Sequence, residues 1–160
     1  MFEIVNALTT PNLSGIIYTG KPRQYRADCQ AGMFKIGASK MVGKSLRMEI
    51  LAWAVFEDEL FGYPFQPWLG VVFIDPTNVV SQVLFKTESL DNFVNLSLEK
   101  AQEGIALGQG VTTGTMSKRA SRAGTAYYAV EFEWEPNTPE RLKEIAEFSQ
   151  SLELSKLLHP

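Results

Sequence analysis

Apolar residues recur at every second position in several segments of this chain, which is the period of a β-strand with one buried face. The longest such segment is 44–58, where apolar side chains alternate from Leu46 to Phe56. Two β-branched runs, 68–75 and 79–86, are interpreted as one strand that the turn sequence DPTN interrupts. The predicted strands are 32–37, 44–58, 68–86 in two pieces, 110–118 and 125–135.

The spacing of apolar residues changes to that of an amphipathic helix in two places. Leu90 begins the first helical stripe, and Ser89 precedes it as a candidate N-cap. The second stripe follows Thr138, with Pro139 at the first helical position, and predicts a C-terminal helix over 138–157. No apolar run is long enough to cross a bilayer.

The order of these elements predicts a single domain over 1–160, with an irregular arm at 1–24. In this order the segment 25–135 resembles the OB-fold, a five-stranded Greek-key barrel. The resemblance implies a mainly β fold with helices. Its architecture would be an OB-fold-like barrel of five to six strands, with a helix between strands 3 and 4 and the C-terminal helix of 138–157. An α+β sheet with two packed helices is the alternative architecture.

Charge is distributed unevenly along the chain, although the formal net charge is only −3. Between Tyr18 and Arg47 there are seven cations and one acid, whereas acids dominate the segments 48–116 and 131–160. The stretch SKRASRAG, at 117–124, holds three cations and no acid between two predicted strands. This concentration favours an anionic partner, although solvated faces of varying sign would also explain it.

Two basic loops would flank the ligand groove if the OB-fold resemblance holds. OB-folds bind across strands 2 and 3, between the loop joining strands 1 and 2 and the loop joining strands 4 and 5. Here those loops would be 37–45 and 117–124. The cations assigned to this track are Lys40, Lys44, Arg47, Lys118, Arg119 and Arg122. Phosphates neutralised by such cations release counterions, which drives binding independent of sequence.

Binding of a single strand also needs aromatic side chains on which bases can stack. Trp53, predicted on the outer face of the second strand, and Tyr127 beside the basic loop are the preferred candidates, and Tyr25 and Trp68 are further ones. The stretch FGYPFQPW, at 61–68, has two interpretations. It either clamps bases or a partner protein, or it folds back over the open end of the barrel and buries its own rings.

No catalytic or metal-binding constellation is evident. GASKMVGKS has one residue too many between its glycines for a phosphate-binding P-loop, and a strand follows it rather than a helix. The single histidine, His159, and the single cysteine, Cys29, are too few for a metal cluster or a catalytic device. The acids Glu57, Asp58 and Glu59 could hold Mg²⁺ in a nuclease, which remains an alternative. We expect no enzyme activity, no cofactor and no metal.

The sequence therefore predicts a non-enzymatic protein that binds single-stranded nucleic acid, DNA more than RNA, with little sequence preference. It resembles the OB-fold single-stranded DNA-binding proteins, which implies replication or recombination proteins as further partners. Exposed strand edges would also allow a homo-oligomer, and no membrane partner is expected. The lack of a signal peptide and of a cysteine pair predicts a cytoplasmic location. A protein–protein interaction module anchored by the aromatic loop 61–68 is the other alternative.

Overall fold

The computed structural model describes residues 7–8 and 15–158. Part of the predicted arm 1–24 and the single histidine, His159, lie outside these described residues. The described chain is mainly β, with eight strands and two α-helices. The strands are β1 (Arg23–Asp28), β2 (Met33–Ile36), β3 (Lys40–Gly43), β4 (Ser45–Asp58), β5 (Gln66–Ile74), β6 (Val80–Lys86), β7 (Gly110–Ala120) and β8 (Ala126–Pro136). The helices are α1 (Thr87–Gln102) and α2 (Pro139–Ser149), with 3₁₀ turns at Leu107–Gln109 and Leu154–Lys156. No helix within these described ranges is long and apolar enough to cross a membrane.

All eight strands belong to one curled sheet in the order β3-β2-β1-β6-β5-β4-β7-β8. The sheet is mixed, because β1 runs parallel to β6 whereas the other neighbouring strands are antiparallel. The sheet curls so that its end strand β8 approaches the β1–β2 turn, where the N–H of Tyr128 donates to the carbonyl of Cys29 at 2.9 Å. The sheet is therefore a half-barrel that wraps around its own core.

The strand count corrects the sequence prediction of five to six strands. Segments 68–75 and 79–86 belong to two separate strands, β5 and β6, which pair in antiparallel register. The DPTN turn reverses the chain because the Asp75 carboxylate accepts hydrogen bonds from the N–H groups of Thr77 and Val79, both at 2.9 Å. The short strands β1 and β3 form in segments without a clear period-two pattern.

The main core lies on the inner face of the sheet and includes one side of α1. Its buried residues include Leu46, Met48, Ile50, Leu69, Val71, Phe73, Val83, Phe85, Met116 and Val130 of the strands, and Phe93 and Leu96 of α1. Leu51 is an extra residue in β4 and shifts the register against β5. Because of this bulge, Trp53 and Val55 take the inner-face positions in the second half of β4, so the outer-face position predicted for Trp53 is wrong.

The C-terminal segment covers part of the outer face of the sheet. Val72 and Val80 form a second apolar cluster with residues that follow α2, among them the buried Leu157. The helix itself ends at Ser149 and does not continue to 157 as the sequence pattern suggested. The residues after it turn back onto the sheet, which brings their apolar side chains into this cluster.

Helix α1 begins at Thr87, two residues before the predicted N-cap Ser89, and this gives Ser89 a different role. The buried Ser89 hydroxyl accepts a hydrogen bond from the N–H of Val130 in β8 at 2.9 Å. The Asn92 side-chain amide donates to the carbonyl of Val130 at 2.9 Å. Side chains of α1 therefore satisfy the backbone at the open edge of β8, where no further strand follows.

Candidate functional site

The basic loop SKRASRAG is the end of a long β7–β8 hairpin. The two strands continue to Ala120 and resume at Ala126, so that Lys118 lies on a strand and Arg122 on the turn. Both side chains are exposed, and neither forms an ion pair with a described residue. Their charges are therefore available to a ligand.

Lys44 lies next to this hairpin, whereas Lys40 lies further away along β3. The carbonyl of Lys44 accepts a hydrogen bond from the N–H of Met116 at 2.8 Å, and Lys118 follows two residues later on the same strand. Lys40 is at the other end of β3, opposite Ile36 of β2. Strand pairing thus brings one cation of the first predicted loop close to the second.

Arg119 is bound to acids of its own chain. Its Nε lies 3.0 Å from Glu88 and its Nη2 lies 2.6 Å from Glu131, while Nη1 donates to the Ser117 hydroxyl. The hydrogen bond to Glu131, together with that to Glu88, raises the pKa of Arg119 above its ordinary value. The Tyr127 hydroxyl also donates to Glu88, at 3.4 Å. Arg119 and Tyr127 therefore connect the hairpin to the start of α1, and a nucleotide would compete with these contacts.

Trp53 and Arg47 lie on opposite faces of β4. The Trp53 ring is 41% exposed and meets Phe93 of α1 edge-on, with 5.4 Å between ring centres. Arg47 is on the outer face, where it borders a cleft with Glu49 and Arg141. Arg47 and Trp53, which the sequence prediction assigned to one binding track, therefore lie on different faces of the sheet.

The cleft beside Arg47 has a volume of about 380 Å³ and contains a buried carboxylate that is already bound. Glu49 is 4% exposed, and Arg141 Nη2 and the Asn137 amide donate to its oxygens at 2.8 and 2.7 Å. Burial alone would raise the pKa of Glu49, but the hydrogen bonds from Arg141 and Asn137 outweigh it and hold the pKa below its ordinary value. Glu49 therefore anchors α2 to β4.

Asp75, at the other side of this cleft, holds Tyr25 in the core. The buried Tyr25 hydroxyl donates to the Asp75 carboxylate at 2.6 Å, and Arg23 pairs with the same oxygen at 3.0 Å. Burial opposes ionisation of Asp75, but the hydrogen bonds from Tyr25 and from the N–H of Val79 keep its pKa below the ordinary value. Tyr25 is therefore a structural residue, not an exposed stacking platform.

A group of cations and rings that the sequence reasoning did not assemble lies on the outer face, near the start of β5 and the end of β6. The cation–aromatic cluster, as we call it, consists of Arg26, Phe61, Tyr63, Trp68 and Lys86. The rings of Phe61 and Tyr63 meet Trp68 edge-on at 5.8 and 6.1 Å between centres. The Arg26 guanidinium lies 4.9 Å from the centre of the Phe61 ring, and Lys86 Nζ lies 4.0 Å from that of Tyr63. Both distances are those of cation–π contacts.

The aromatic loop combines the two interpretations that the sequence left open. One ring of the loop is buried, as the second interpretation requires: Trp68 is only 3% exposed and donates its indole N–H to the carbonyl of Asp58 at 3.2 Å. Phe61 and Phe65 remain 57% and 61% exposed. Phe61 also has a φ of 54°, a left-handed conformation that costs a bulky residue about 1–2 kcal/mol. Strain of this kind concentrates at functional sites.

Arg26 and Lys86 form no ion pair with any described residue. Lys35, the neighbour of Arg26 on β2, is by contrast paired with Asp28 at 2.8 Å. Beyond Lys35 on β3 lies Met41, which is 64% exposed. The outer face from β6 to β3 therefore presents unpaired cations beside exposed apolar side chains.

Only one component of this cluster had a signal in the sequence. The density of rings in FGYPFQPW marks the loop, but nothing in the local pattern connects Arg26 or Lys86 to it. Arg26 and Lys86 reach the loop because β1 pairs with β6 and β6 pairs with β5, contacts between segments distant in the chain. A prediction from local pattern does not contain such contacts.

The acids at the base of the loop do not form a metal centre. Glu57 and Glu59 are exposed, and Asp58 accepts the N–H of Glu59 at 2.7 Å. In the ranges 7–8 and 15–158 no three His, Cys, Asp or Glu side chains are placed to hold a metal ion.

Comparisons of the chain with protein-family models, with curated proteins and with solved structures found no match. The function must therefore be argued from the geometry of the cation–aromatic cluster and of the sheet that supports it.

Proposed function

We propose that the protein binds single-stranded nucleic acid, DNA in preference to RNA, through the cation–aromatic cluster, with little sequence preference and without catalysis. One observation carries the proposal. Arg26 lies on the Phe61 ring and Lys86 on the Tyr63 ring, and neither cation has an acidic partner among the described residues. A cation beside an exposed ring offers the two contacts that a nucleotide needs, a charge for the phosphate and a flat surface for the base.

The proposal includes an OB-fold arrangement of β4 to β8, which the strand connections support. Strands β4, β5 and β6 follow one another in antiparallel register, α1 comes next, and the β7–β8 hairpin pairs back onto β4. In this alignment the loop between the first and second OB strands is 59–65 instead of the predicted 37–45. OB-folds bind ligands across strands 2 and 3 beside this loop. The alignment would put the cluster in that groove.

In the proposed complex, Phe61 and Phe65 stack on bases while Arg26 and Lys86 contact phosphates. Stacking contributes about 1–3 kcal/mol per base, and it tolerates any sequence because every base has a π-face. A duplex buries those faces between its base pairs, so that single strands are favoured.

Lys44, Lys118 and Arg122 would extend the electrostatic contact. All three are exposed, and in the OB alignment the β7–β8 turn is the second loop that flanks the groove. If about four phosphates are neutralised in total, the logarithm of the binding constant should fall with the logarithm of salt concentration with a slope of about −3.

Fluorescence polarisation of a labelled oligo-dT tests the proposal directly. We expect Phe61→Ala combined with Phe65→Ala to weaken binding about tenfold or more, because two stacking surfaces are lost. Arg26→Ala combined with Lys86→Ala should weaken binding and flatten the salt slope by about 1.4, because two phosphate contacts are lost. Oligo-U and a duplex of the same length serve as competitors.

Two substitutions are matched controls. Leu98→Ala removes an equally exposed apolar side chain from α1, and Lys143→Ala removes an exposed cation from α2. Both should leave oligo-dT affinity unchanged. Salt-independent binding, equal affinity for duplex and single strand, or equal losses in the controls would contradict the proposal.

The exposure of Phe61 and Phe65 also favours a second candidate, a protein–protein interaction module anchored by the same loop. In that case the wild-type protein would not bind oligo-dT. The Phe61→Ala and Phe65→Ala changes would still abolish capture of a protein partner, while Arg26→Ala would have little effect on it.

A further inference from the structure

Among the open strand edges of the curled sheet, three belong to β8, to β3 and to the second half of β4, and the first two are protected. The edge of β8 is covered by Ser89 and Asn92 of α1 and by the carbonyl of Cys29. The edge strand β3 has only four residues, begins with Lys40 and contains a register shift against β2. Short length, a lysine and a bulge are features that prevent strand addition.

The third edge is the second half of β4, and it has none of these protections. Strand β7 pairs with β4 only from Ser45 to Met48, and the 3₁₀ turn at Leu107–Gln109 then lies beside Ile50. From residue 52 to residue 58, no described strand pairs with β4 on the side opposite β5. The sequence ILAWAVF at 50–56 contains no proline and no charge. Its backbone is therefore open to another strand.

The side chains along this edge are apolar and partly in solvent. Trp53 is 41% exposed, Val55 is 48% exposed, and the small Ala54 between them is also exposed. Trp53 and Val55 lie on the same face, because they are two residues apart in one strand. An added strand would cover both of them.

We propose that this edge pairs with the same edge of a second copy, forming a symmetric dimer through antiparallel β4–β4 pairing centred on Ala54. In this register Ala54 faces its own symmetry mate, Trp53 faces Val55 of the other copy, and Ala52 faces Phe56. Each pair is apolar, and the small alanine lies on the two-fold axis opposite its own copy. A two-fold axis makes the same patch serve both copies.

The charges agree with this register. The acids Glu57, Asp58 and Glu59 follow the apolar segment. Antiparallel pairing centred on Ala54 places Glu57 opposite Leu51 of the other copy, so the two acidic ends point away from each other. A parallel arrangement would bring them together, and like charges directly opposite are destabilising.

The interface is a short strand pair, so it lies at the small end of protein interfaces. We expect a dissociation constant on the order of micromolar, which sedimentation velocity resolves between about 1 and about 200 µM protein. Val55→Lys should raise this constant at least tenfold, because a lysine on an edge strand keeps its charge in water and opposes the addition of another strand. Val42→Lys is the matched control, since Val42 is also an exposed valine on an edge strand, and it should leave the dimer intact.

Cysteine cross-linking tests the register without depending on the folding of the lysine variant. In a Cys29→Ser background, Ala54→Cys should form a disulfide-linked dimer on mild oxidation, because directly opposed residues bring their Cβ atoms into range. Ala38→Cys, on an exposed turn, should not cross-link.

Three results would each overturn the proposed dimer. They are a protein that stays monomeric over the whole concentration range, a dimer unaffected by Val55→Lys, and a dimer in which Ala54→Cys fails to cross-link. All measurements are made without nucleic acid, so they are independent of the proposed binding function.

Discussion

The role of a charged residue in this protein depends on its partner more than on its position in the sequence. Arg119 and Arg26 both lie on strands in basic stretches. Arg119 is held between Glu88 and Glu131, whereas Arg26 lies on the exposed ring of Phe61. The first guanidinium stabilises the fold, and the second is available to a ligand.

Arg119 and Arg122 differ in the same way, because Arg122 forms no ion pair with a described residue. We therefore expect different effects when each of these two neighbouring arginines is replaced. Arg119→Ala should lower the thermal midpoint by about 2 °C, because its surface ion pairs are lost, and should leave the salt slope of oligo-dT binding unchanged. Arg122→Ala should leave the midpoint unchanged and flatten the slope by about 0.7. Thermal unfolding and polarisation on the same samples distinguish the two effects, and a reversed pattern would show that Arg119 contacts the ligand.

At the scale of elements, α1 replaces a missing strand neighbour. In the half-barrel, β8 lacks a hydrogen-bonded strand on one side, and α1 supplies donors and acceptors from side chains instead. The phenyl ring of Phe93 meets Phe132 of β8 at 5.3 Å between centres, which adds apolar contact to the same junction. The helix thus closes the sheet without extending it.

Removing one of these side-chain contacts should loosen β8 specifically. Ser89→Ala leaves the buried N–H of Val130 without its acceptor, so we expect a loss of about 1–3 kcal/mol in the free energy of unfolding. Hydrogen exchange of the Val130 amide should accelerate. Ser97→Ala is the control, because that hydroxyl bonds to a carbonyl of its own helix, and exchange at Val130 should then be unaffected.

At the scale of the whole molecule, the class of the fold could be predicted from sequence and its closure could not. The long alternating rows in 44–58 and 125–135 predict strands because one face must be buried along their whole length. Strand β1 escapes this reasoning, since it is short and its polar residues Arg23, Gln24 and Arg26 leave no alternating apolar row. Its pairing with β6 depends on residues far along the chain, and the cation–aromatic cluster depends on that pairing.

Acid should destabilise the whole molecule through three carboxylates that hold it together. The pKa values of Asp28, Glu49 and Asp75 are all lowered in the folded state. Each therefore adds stability above its unfolded pKa, near 4, and that stability is lost as the pH falls through the lower folded pKa. These groups should leave the urea midpoint unchanged from pH 6 to 8, and the free energy of unfolding should fall as the pH is lowered from 5 to 2.

A variant of one buried carboxylate tests this explanation. Asp75→Asn should cost about 3 kcal/mol at neutral pH, because Tyr25 and Arg23 lose a charged acceptor, and it should make the acid decline shallower. Glu147→Gln on the exposed surface of α2 is the control for loss of one charge. An acid decline equally steep in Asp75→Asn and wild type would assign the effect to other groups.

The hydrogen bond between Cys29 and Tyr128 has a consequence for synthesis on the ribosome. The first hairpin, β1 with β2, is translated early, yet its neighbours β6 and β8 are translated much later. At translation speeds of about 5–20 residues per second, the hairpin waits several seconds with the backbone of β1 open on the side that later pairs with β6. During that time the nascent chain offers β1 to any passing strand, so closure of the half-barrel must follow the exit of β8 from the ribosomal tunnel.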